Sequence, residues 1–292
     1  MRLFNYSVVL LTCNAEAYIA ELLQSIHSQS VPPHEIIVID SSSEDATARI
    51  VAEDKACRLT IIDRTAFSHG GTRHMAMCQC SGDFAVFMTQ DALPYDRFAI
   101  ERLLRAFDDE DVAMCYGRQI PRPDADQIEK LFRQYNYPAN SRINTKQDIE
   151  KLGVRAYFFS DTFSAYRMSA YRALGGFDCS AKTNEDMLMA YNALNAGLKT
   201  AYCSDACVWH SHNDTLKQQY KRSRETASFM ALHPELTQNG NITGEGFQLL
   251  RFAVRGLIKR HKLYLLPSLF LRCTVRYLGH RRGTNMNRRE IR

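Results

Sequence analysis

The chain has 292 residues, 45% of them hydrophobic, enough for one large α/β domain with an ordinary core and an appendage. Its net charge of +5 is unevenly held: residues 247–292 carry twelve Lys/Arg against Glu290 alone, and the 25 basic and 31 acidic residues before them leave the body at −6. A slightly acidic body excludes a nucleic-acid groove running across it. Nine cysteines, an odd number without regular spacing, read as free thiols in a reducing cytosol. Met1–Leu11 has one arginine and an apolar run of only Val8–Leu11, too short for a secretory leader. The best candidate for a bilayer span, Leu263–Leu271, is short and broken by Pro267, so the protein is expected to be soluble or peripheral.

Strand-like runs begin near Ser7, Ile36, Leu59 and Phe84, every 23–29 residues, with helical patterns between the first of them. That is the rhythm of βαβ units on a mostly parallel sheet. Asn14 is placed to cap a helix whose Ala15, Ile19, Leu22, Leu23 and Ile26 share one face. Ser41–Ser43 opens a second helix, with Thr47, Ile50 and Val51 inward. Gly70-Gly71 breaks the chain after the third strand, Arg97–Phe107 reads as a helix with Phe98 and Glu101 outward and Leu104 inward, and Val112–Tyr116 reads as a fifth strand closed by Gly117. Pro121–Lys151 is polar, holds three prolines and lacks a clean period, which predicts a long excursion over the sheet suited to acceptor binding.

Structure resumes at Tyr157-Phe158-Phe159, continues through Ser169–Leu174 and the Gly175-Gly176-Phe177 turn, and reaches a helix over Asn184–Ala196 ended by Gly197. Lys199–Cys203 and Val208–His212 predict two late strands. In the tail, Phe247, Leu250, Val254, Leu257 and Ile258 share one helical face, and Arg251, Arg255, Lys259 and Lys262 another. Such a basic amphipathic helix suits an anionic membrane surface. The expected division is a catalytic domain over 1–222 and a helical, basic, membrane-associating region over 223–292.

Four acids stand at predicted strand ends or at a helix start: Asp40, Asp63, Asp91 and Asp186. Ligands of open α/β sheets sit outside the carboxyl ends of the strands. A carboxylate at Asp40 can accept the imide N–H of uracil or thymine, and Asp63 would flank the base; both residue types also serve local caps and turns. His69-Gly70-Gly71-Thr72-Arg73 couples a turn to a helix start, whose amides attract phosphate, and Arg73 adds charge for a diphosphate. His69 is structural or sugar-facing. Asp91, with diphosphate oxygens and water, suits a divalent cation such as Mg²⁺ or Mn²⁺. His210 and His212, two apart on a predicted strand, share a face, and His210 is the choice to complete the metal site; a polar pair bonded within the sheet is the alternative. Cys203, Cys207, His210 and His212 are too closely spaced for a usual structural zinc site. The basic helix Leu216–Thr226 suits donor phosphates, a lipid pyrophosphate or plain solvation.

In their order, SVVLLTCNAE, EIIVIDSSSEDAT, FSHGGTRHMAM, FMTQDA and NEDMLMAY resemble the family 2 glycosyltransferases, which use nucleotide-sugar donors on a GT-A fold. FSHGGTRHMAM with TQDA looks more specifically like their bacterial rhamnosyltransferase branch, and the resemblance runs from about Tyr6 to about Arg222. It implies a Rossmann-like, mostly parallel sheet flanked by helices, with the C-terminal basic helical region as an appendage. It further implies that Thr12, Asn14 and Glu16 hold base and ribose, that Asp40 reads the pyrimidine, and that Gln90 faces the nucleotide. Thr89-Gln90-Asp91 fills the slot where the family has Asp-x-Asp, keeping only the last carboxylate. Asp186 becomes the base of an inverting transfer, taking the proton of the acceptor hydroxyl. Glu185, adjacent to it, points elsewhere, so the two are not a glycosidase pair.

The implied activity is transfer of a hexose, L-rhamnose from dTDP-L-rhamnose or a sugar from a UDP-hexose. The acceptor would be a glycan or lipid-linked saccharide at the inner face of the cytoplasmic membrane. An oxidoreductase would need G-x-G-x-x-G where Thr12-Cys13-Asn14 stands. A catalytically silent, membrane-recruited binding subunit stays open because the first Asp of Asp-x-Asp is missing.

Overall fold

Runs of Val, Ile and Leu that are apolar on both faces can only be strands covered on both sides. They form β1 (Tyr6–Thr12), β2 (Glu35–Asp40) and β4 (Phe84–Thr89); β3 (Cys57–Ile61) is an edge strand with no buried residue, and the four are parallel in the order β3-β2-β1-β4. The computed structural model describes residues 4–237 and 242–290. Beyond β4 the sheet continues through β8 (Phe163–Arg167), β6 (Val112–Ile120), β9 (Lys199–Trp209) and β5 (Leu93–Pro94), with β7 (Arg142–Asn144) paired to β9.

The sheet is mixed but mostly parallel, as expected: β1, β2, β3, β4, β6 and β9 run one way, and β5, β7 and β8 run against them. β8 is antiparallel to both β4 and β6, while β6 and β9 are parallel to each other. One edge therefore collects the carboxyl ends of β1, β2, β4, β6 and β9 and the start of β8. Its main core lies between the sheet and helices on one face, around Tyr6, Val8, Leu10, Ile19, Leu22, Ile100, Leu103 and Phe107.

Several local expectations change. Asn14 is not a cap: it adopts a left-handed φ of 49°, and Ala15 precedes the helix Glu16–His27. The second helix starts at Thr47, not at Ser41–Ser43. The helix expected over Arg97–Phe107 is Ala99–Leu104 followed by a 3₁₀ turn, and Glu101 faces inward, bonded to Ser30 Oγ (2.6 Å) and Arg105 Nη2 (2.6 Å). The two late strands are one, β9, whose irregular register against β6 falls where Gly117–Arg118 meets Cys203–Cys207.

Contacts divide the chain into two units: residues 1–120, 139–147 and 157–210, and residues 121–138, 148–156 and 211–292. All nine strands described belong to the first. In the second, the stretch expected as an irregular excursion contains the helix Gln127–Asn136, started by Asp126, whose carboxylate accepts from Ile128 N and Glu129 N at 2.9 Å each. It buries Ile128, Leu131 and Phe132 against Ala253, Leu257 and Leu269. The apolar face of the tail helix Ile242–Lys259 is thus largely covered within its own unit, although Phe247 and Ile258 stay exposed. The helix Leu266–Glu290 lies so close to Leu216–Leu232 that a Cβ at Gly279 or Gly283 would strike the carbonyl of Tyr220 or Arg224. Among the described residues, no helix is long and apolar enough to cross a membrane.

Candidate active site

The carboxyl ends of β1, β2 and β4 are laced together by side chains. Asp40 is fully buried: Oδ2 accepts from Thr12 Oγ1 (2.7 Å) and Ser43 Oγ (2.6 Å), and Oδ1 accepts from Ser43 N (2.8 Å). Gln90 clasps one peptide, accepting from Cys13 N (2.9 Å) and donating to Cys13 O (3.3 Å). Asn14 N donates to Ser43 Oγ (2.8 Å), Asn14 Oδ1 accepts from Glu44 N (2.9 Å), and Glu16 accepts from Ala46 N (3.1 Å). Thr12, Asn14, Glu16, Asp40 and Gln90 therefore fix the shape of the loop edge.

A cavity of about 360 Å³ opens beside them, lined by Thr12, Cys13, Phe67, Arg73, Thr89, Gln90 and Asp161 among others. Asn14, Glu16, Asp40 and Asp63 are not among its lining residues. Asp63 is exposed and caps the turn Arg64–Ala66 by accepting from Thr65 N (2.7 Å) and Thr65 Oγ1 (2.5 Å), bonds that hold its carboxyl below the usual range.

The helix His69–Gln79 begins at Ser68, whose Oγ accepts from Gly71 N (3.1 Å). It carries Arg73 into a cluster of carboxylates. Arg73 is 8% exposed, ion-paired through Nη1 to Glu185 and through Nε to Asp161 Oδ2 at 3.2 Å. The guanidinium that the sequence offered to a diphosphate is thus already committed to two acids. His69 Nδ1 lies 3.1 Å from Arg73 Nη1, and burial, then the Arg73 charge, push its imidazole down to about 4. His69 is therefore neutral at ordinary pH.

Asp161, unforeseen from sequence, is the hub. Its Oδ1 accepts from Ser164 Oγ (2.7 Å) and Tyr166 OH (2.6 Å), and its amide donates to Asp186 Oδ2 (3.1 Å). Asp186 opens the helix Glu185–Asn195 and also accepts from Met187 N (2.8 Å). Burial, then the charges of Asp161 and Glu185, raise the Asp186 carboxyl well above the usual range, with Arg73 opposing. A carboxylate so placed holds a proton more firmly than one in water, which is what a general base must do.

Asp91 follows β4 and His210 follows β9, with Asp91 Oδ2 3.4 Å from His210 Nε2. His210 is 5% exposed, and its Nδ1 lies 2.8 Å from Gln119 Oε1. Gln119 Nε2 is used on Ser160 Oγ (2.9 Å), so its oxygen faces the ring and Nδ1 carries the hydrogen. In the neutral ring, Nε2 then turns a lone pair toward a carboxylate. Two acceptors facing each other call for a proton or a cation between them, and an oxygen acceptor fixing the far nitrogen is the usual support of a metal-binding histidine. Since β9 ends at Trp209, the shared strand face expected for His210 and His212 does not exist; His212 is half-buried and falls in the second unit. Cys203 is buried in the main core and the Cys207 thiol donates to Ser204 O (3.3 Å). Neither joins any group of metal-competent side chains among the described residues.

Residues 7–175 match the family model described as glycosyl transferase family 2. The chain belongs to that family. O-antigen chain rhamnosyltransferase RfbN of Salmonella typhimurium is 36% identical over 279 residues, covering 95% of this chain and 88% of the relative. O-antigen chain rhamnosyltransferase WbaN of Salmonella anatum is 36% identical over 282 residues, covering 96% and 89%. Among solved structures, a mannosyltransferase from Pyrobaculum calidifontis, in complex with GDP-Man and Mn²⁺, superposes with a TM-score of 0.60 at 19% identity, covering 98% of this chain and 84% of that one. S. aureus TarS 1-349 in complex with UDP-GlcNAc gives 0.57 at 16%, covering 98% and 92%. At such identities the likeness shows the fold alone, which is GT-A.

Four elements of this family 2 glycosyltransferase's site had no local signal strong enough to find. Asp161 stands outside any recognisable motif and Gln119 beyond the strand expected to close at Gly117, while Phe67 and Ser43 lie inside the family motifs without a role of their own. The one available clue was the position of Asp161, just after Tyr157-Phe158-Phe159-Ser160, where structure resumes.

Proposed function

We propose that this family 2 glycosyltransferase moves L-rhamnose from dTDP-L-rhamnose, with inversion, to a lipid-linked or growing O-antigen or capsule-type polysaccharide. The observation carrying this reading is the 36% identity to O-antigen chain rhamnosyltransferases over 95% of the chain. The nucleotide would enter the cavity beside Thr12 and Gln90, with Phe67 against the base and Thr89 Oγ1, buried without a partner, available to the donor. Asp40, Asn14 and Glu16 would act through the loop they lace, and Asp63 through the turn beside Phe67. Asp186 takes the proton of the acceptor hydroxyl as that oxygen attacks the anomeric carbon, and the bond to the diphosphate breaks on the opposite side. Glu185, Asp161 and Arg73 hold the base in place and set its charge environment.

Asp91 and His210 would hold a divalent cation. One carboxylate and one imidazole suit Mn²⁺ better than Mg²⁺. When bound, the cation neutralises charge developing on the departing diphosphate. The acceptor would lie at the anionic inner face of the cell membrane, where the basic tail of a peripheral protein is favoured.

Thermal melts with a panel of nucleotide sugars test the donor. A ligand at about 100 times its Kd adds about 2.7 kcal/mol, so dTDP-L-rhamnose should raise the melting temperature most. Greatest stabilisation by a UDP-hexose would reassign the donor. Asp91→Ala and His210→Ala should each raise the Mn²⁺ concentration for half-maximal transfer, and full wild-type activity in excess EDTA would remove the metal from the scheme.

A further inference from the structure

The second unit carries a cationic cavity that the transfer reaction does not use. The helix Ile242–Lys259 ends in the run Lys259-Arg260-His261-Lys262, and His261 turns the chain with a φ of 55°. At the corner that follows, Leu263 and Tyr264 are 54% and 74% exposed, before the helix Leu266–Glu290 begins. A cavity of about 550 Å³ is lined by Gln134, Phe252, Arg255, Gly256, Lys259 and Arg260, three cations and no carboxylate. Arg260 is held there, donating to Gly256 O (3.1 Å) and Gln134 Oε1 (3.0 Å). Gly256 lets the helix approach Leu131 closely enough to form the wall, since a Cβ would collide with that side chain. No Asp or Glu occurs between Phe247 and Arg289 to compete for the cations.

We propose that this cavity receives the phosphate headgroup of an anionic lipid, while Leu263 and Tyr264 enter the apolar boundary of the bilayer. Three cations around one pocket match a phosphate anion, and two large exposed side chains three and four residues past Arg260 match the acyl region under that headgroup. Basic residues at such a surface add attraction that salt screens. The inference rests on the membrane-facing part of the proposed function and is independent of which sugar is transferred.

Flotation of the full chain with vesicles of phosphatidylcholine, alone or mixed with phosphatidylglycerol, tests it. The chain should float only with the anionic vesicles and be released by salt. Arg255→Gln/Lys259→Gln/Arg260→Gln should lower partitioning about 100-fold, taking about 1 kcal/mol per basic residue. Arg251→Gln/Arg281→Gln/Arg282→Gln removes equal charge elsewhere and should keep most of the binding. Leu263→Ser/Tyr264→Ser should also weaken flotation. Equal loss in the two triple variants overturns the cavity, and equal flotation on both vesicle types overturns the anionic headgroup. Thermal stabilisation by inorganic phosphate that needs Arg255, Lys259 and Arg260, without flotation, would assign a free anion instead. A dimer abolished by Leu263→Ser/Tyr264→Ser would assign the corner to a second copy. Donor hydrolysis in solution should be unchanged in every variant, which separates failure here from failure of the transferase reading.

Discussion

Asp161→Asn probes whether a buried cluster, and not one acid alone, sets the working pH of the site. Asp161 is 2% exposed and faces Arg73 Nε at 3.2 Å while accepting two hydroxyl hydrogen bonds. Asparagine keeps the shape and an acceptor oxygen but takes away the charge opposite Arg73. Removing one partner of a buried ion pair costs about 3–5 kcal/mol, and because Arg73 retains Glu185 the loss should lie near about 3 kcal/mol. At about 2–4 °C per kcal/mol, the melting temperature should fall by about 6–12 °C. A second readout separates this from simple loosening. The charges facing Asp186 are Asp161, Glu185 and Arg73, and Asp161 raises the Asp186 carboxyl. Without that charge Asp186 ionises at lower pH, so the acid limb of kcat/KM moves down. Calorimetry and a pH–rate profile on the purified variant measure both effects. A melt within about 2 °C of wild type, or an acid limb that stays or moves up, would refute the cluster as described.

Asp186→Asn should cut transfer by about 10²–10⁴-fold while leaving donor affinity intact, and a residual rate above about a tenth of wild type would exclude it as the base. Its effect on stability has a defined sign. The Asp186 carboxyl is raised in the folded chain, so its contribution is present below the unfolded value of about 4 and lost as pH rises through the folded one. The difference in melting temperature, variant minus wild type, should therefore grow as pH rises above the unfolded value of about 4, and a flat difference would contradict it. Truncation before Phe247 should expose Ile128, Leu131 and Phe132, each worth about 1.5–3 kcal/mol of burial, and give an aggregating product; a monomeric truncation by light scattering would show that the second unit holds without its tail helices.

Legibility followed the length scale of each signal. β1, β2 and β4 were readable to within a residue or two because a strand covered on both faces is a continuous apolar run, and β3, at the sheet edge, from the shorter run Leu59–Ile62. β8 was not, since Phe-Ser-Ala-Tyr-Arg carries no run and its place depends on the partners β4 and β6. Glu101 was read as outward because charge usually is; Ser30 and Arg105, supplied by other turns of the chain, make it a tolerable inward residue. The helix Gln127–Asn136 was hidden inside a proline-flanked polar stretch whose apolar residues gain meaning only against the tail helix.

By itself the sequence determined which chemical groups end the strands, since residue type and strand-to-loop transitions are local properties. Family membership followed from the order of those groups, and the match over residues 7–175 agrees. Only the tertiary structure decided which groups remain available. It buried Asp40 under Thr12 and Ser43, spent Arg73 on Asp161 and Glu185, and set His210 against Asp91 with Gln119 behind it. The reason is that a charge acts according to its partners and its access to water, and both are fixed by residues far away in the chain.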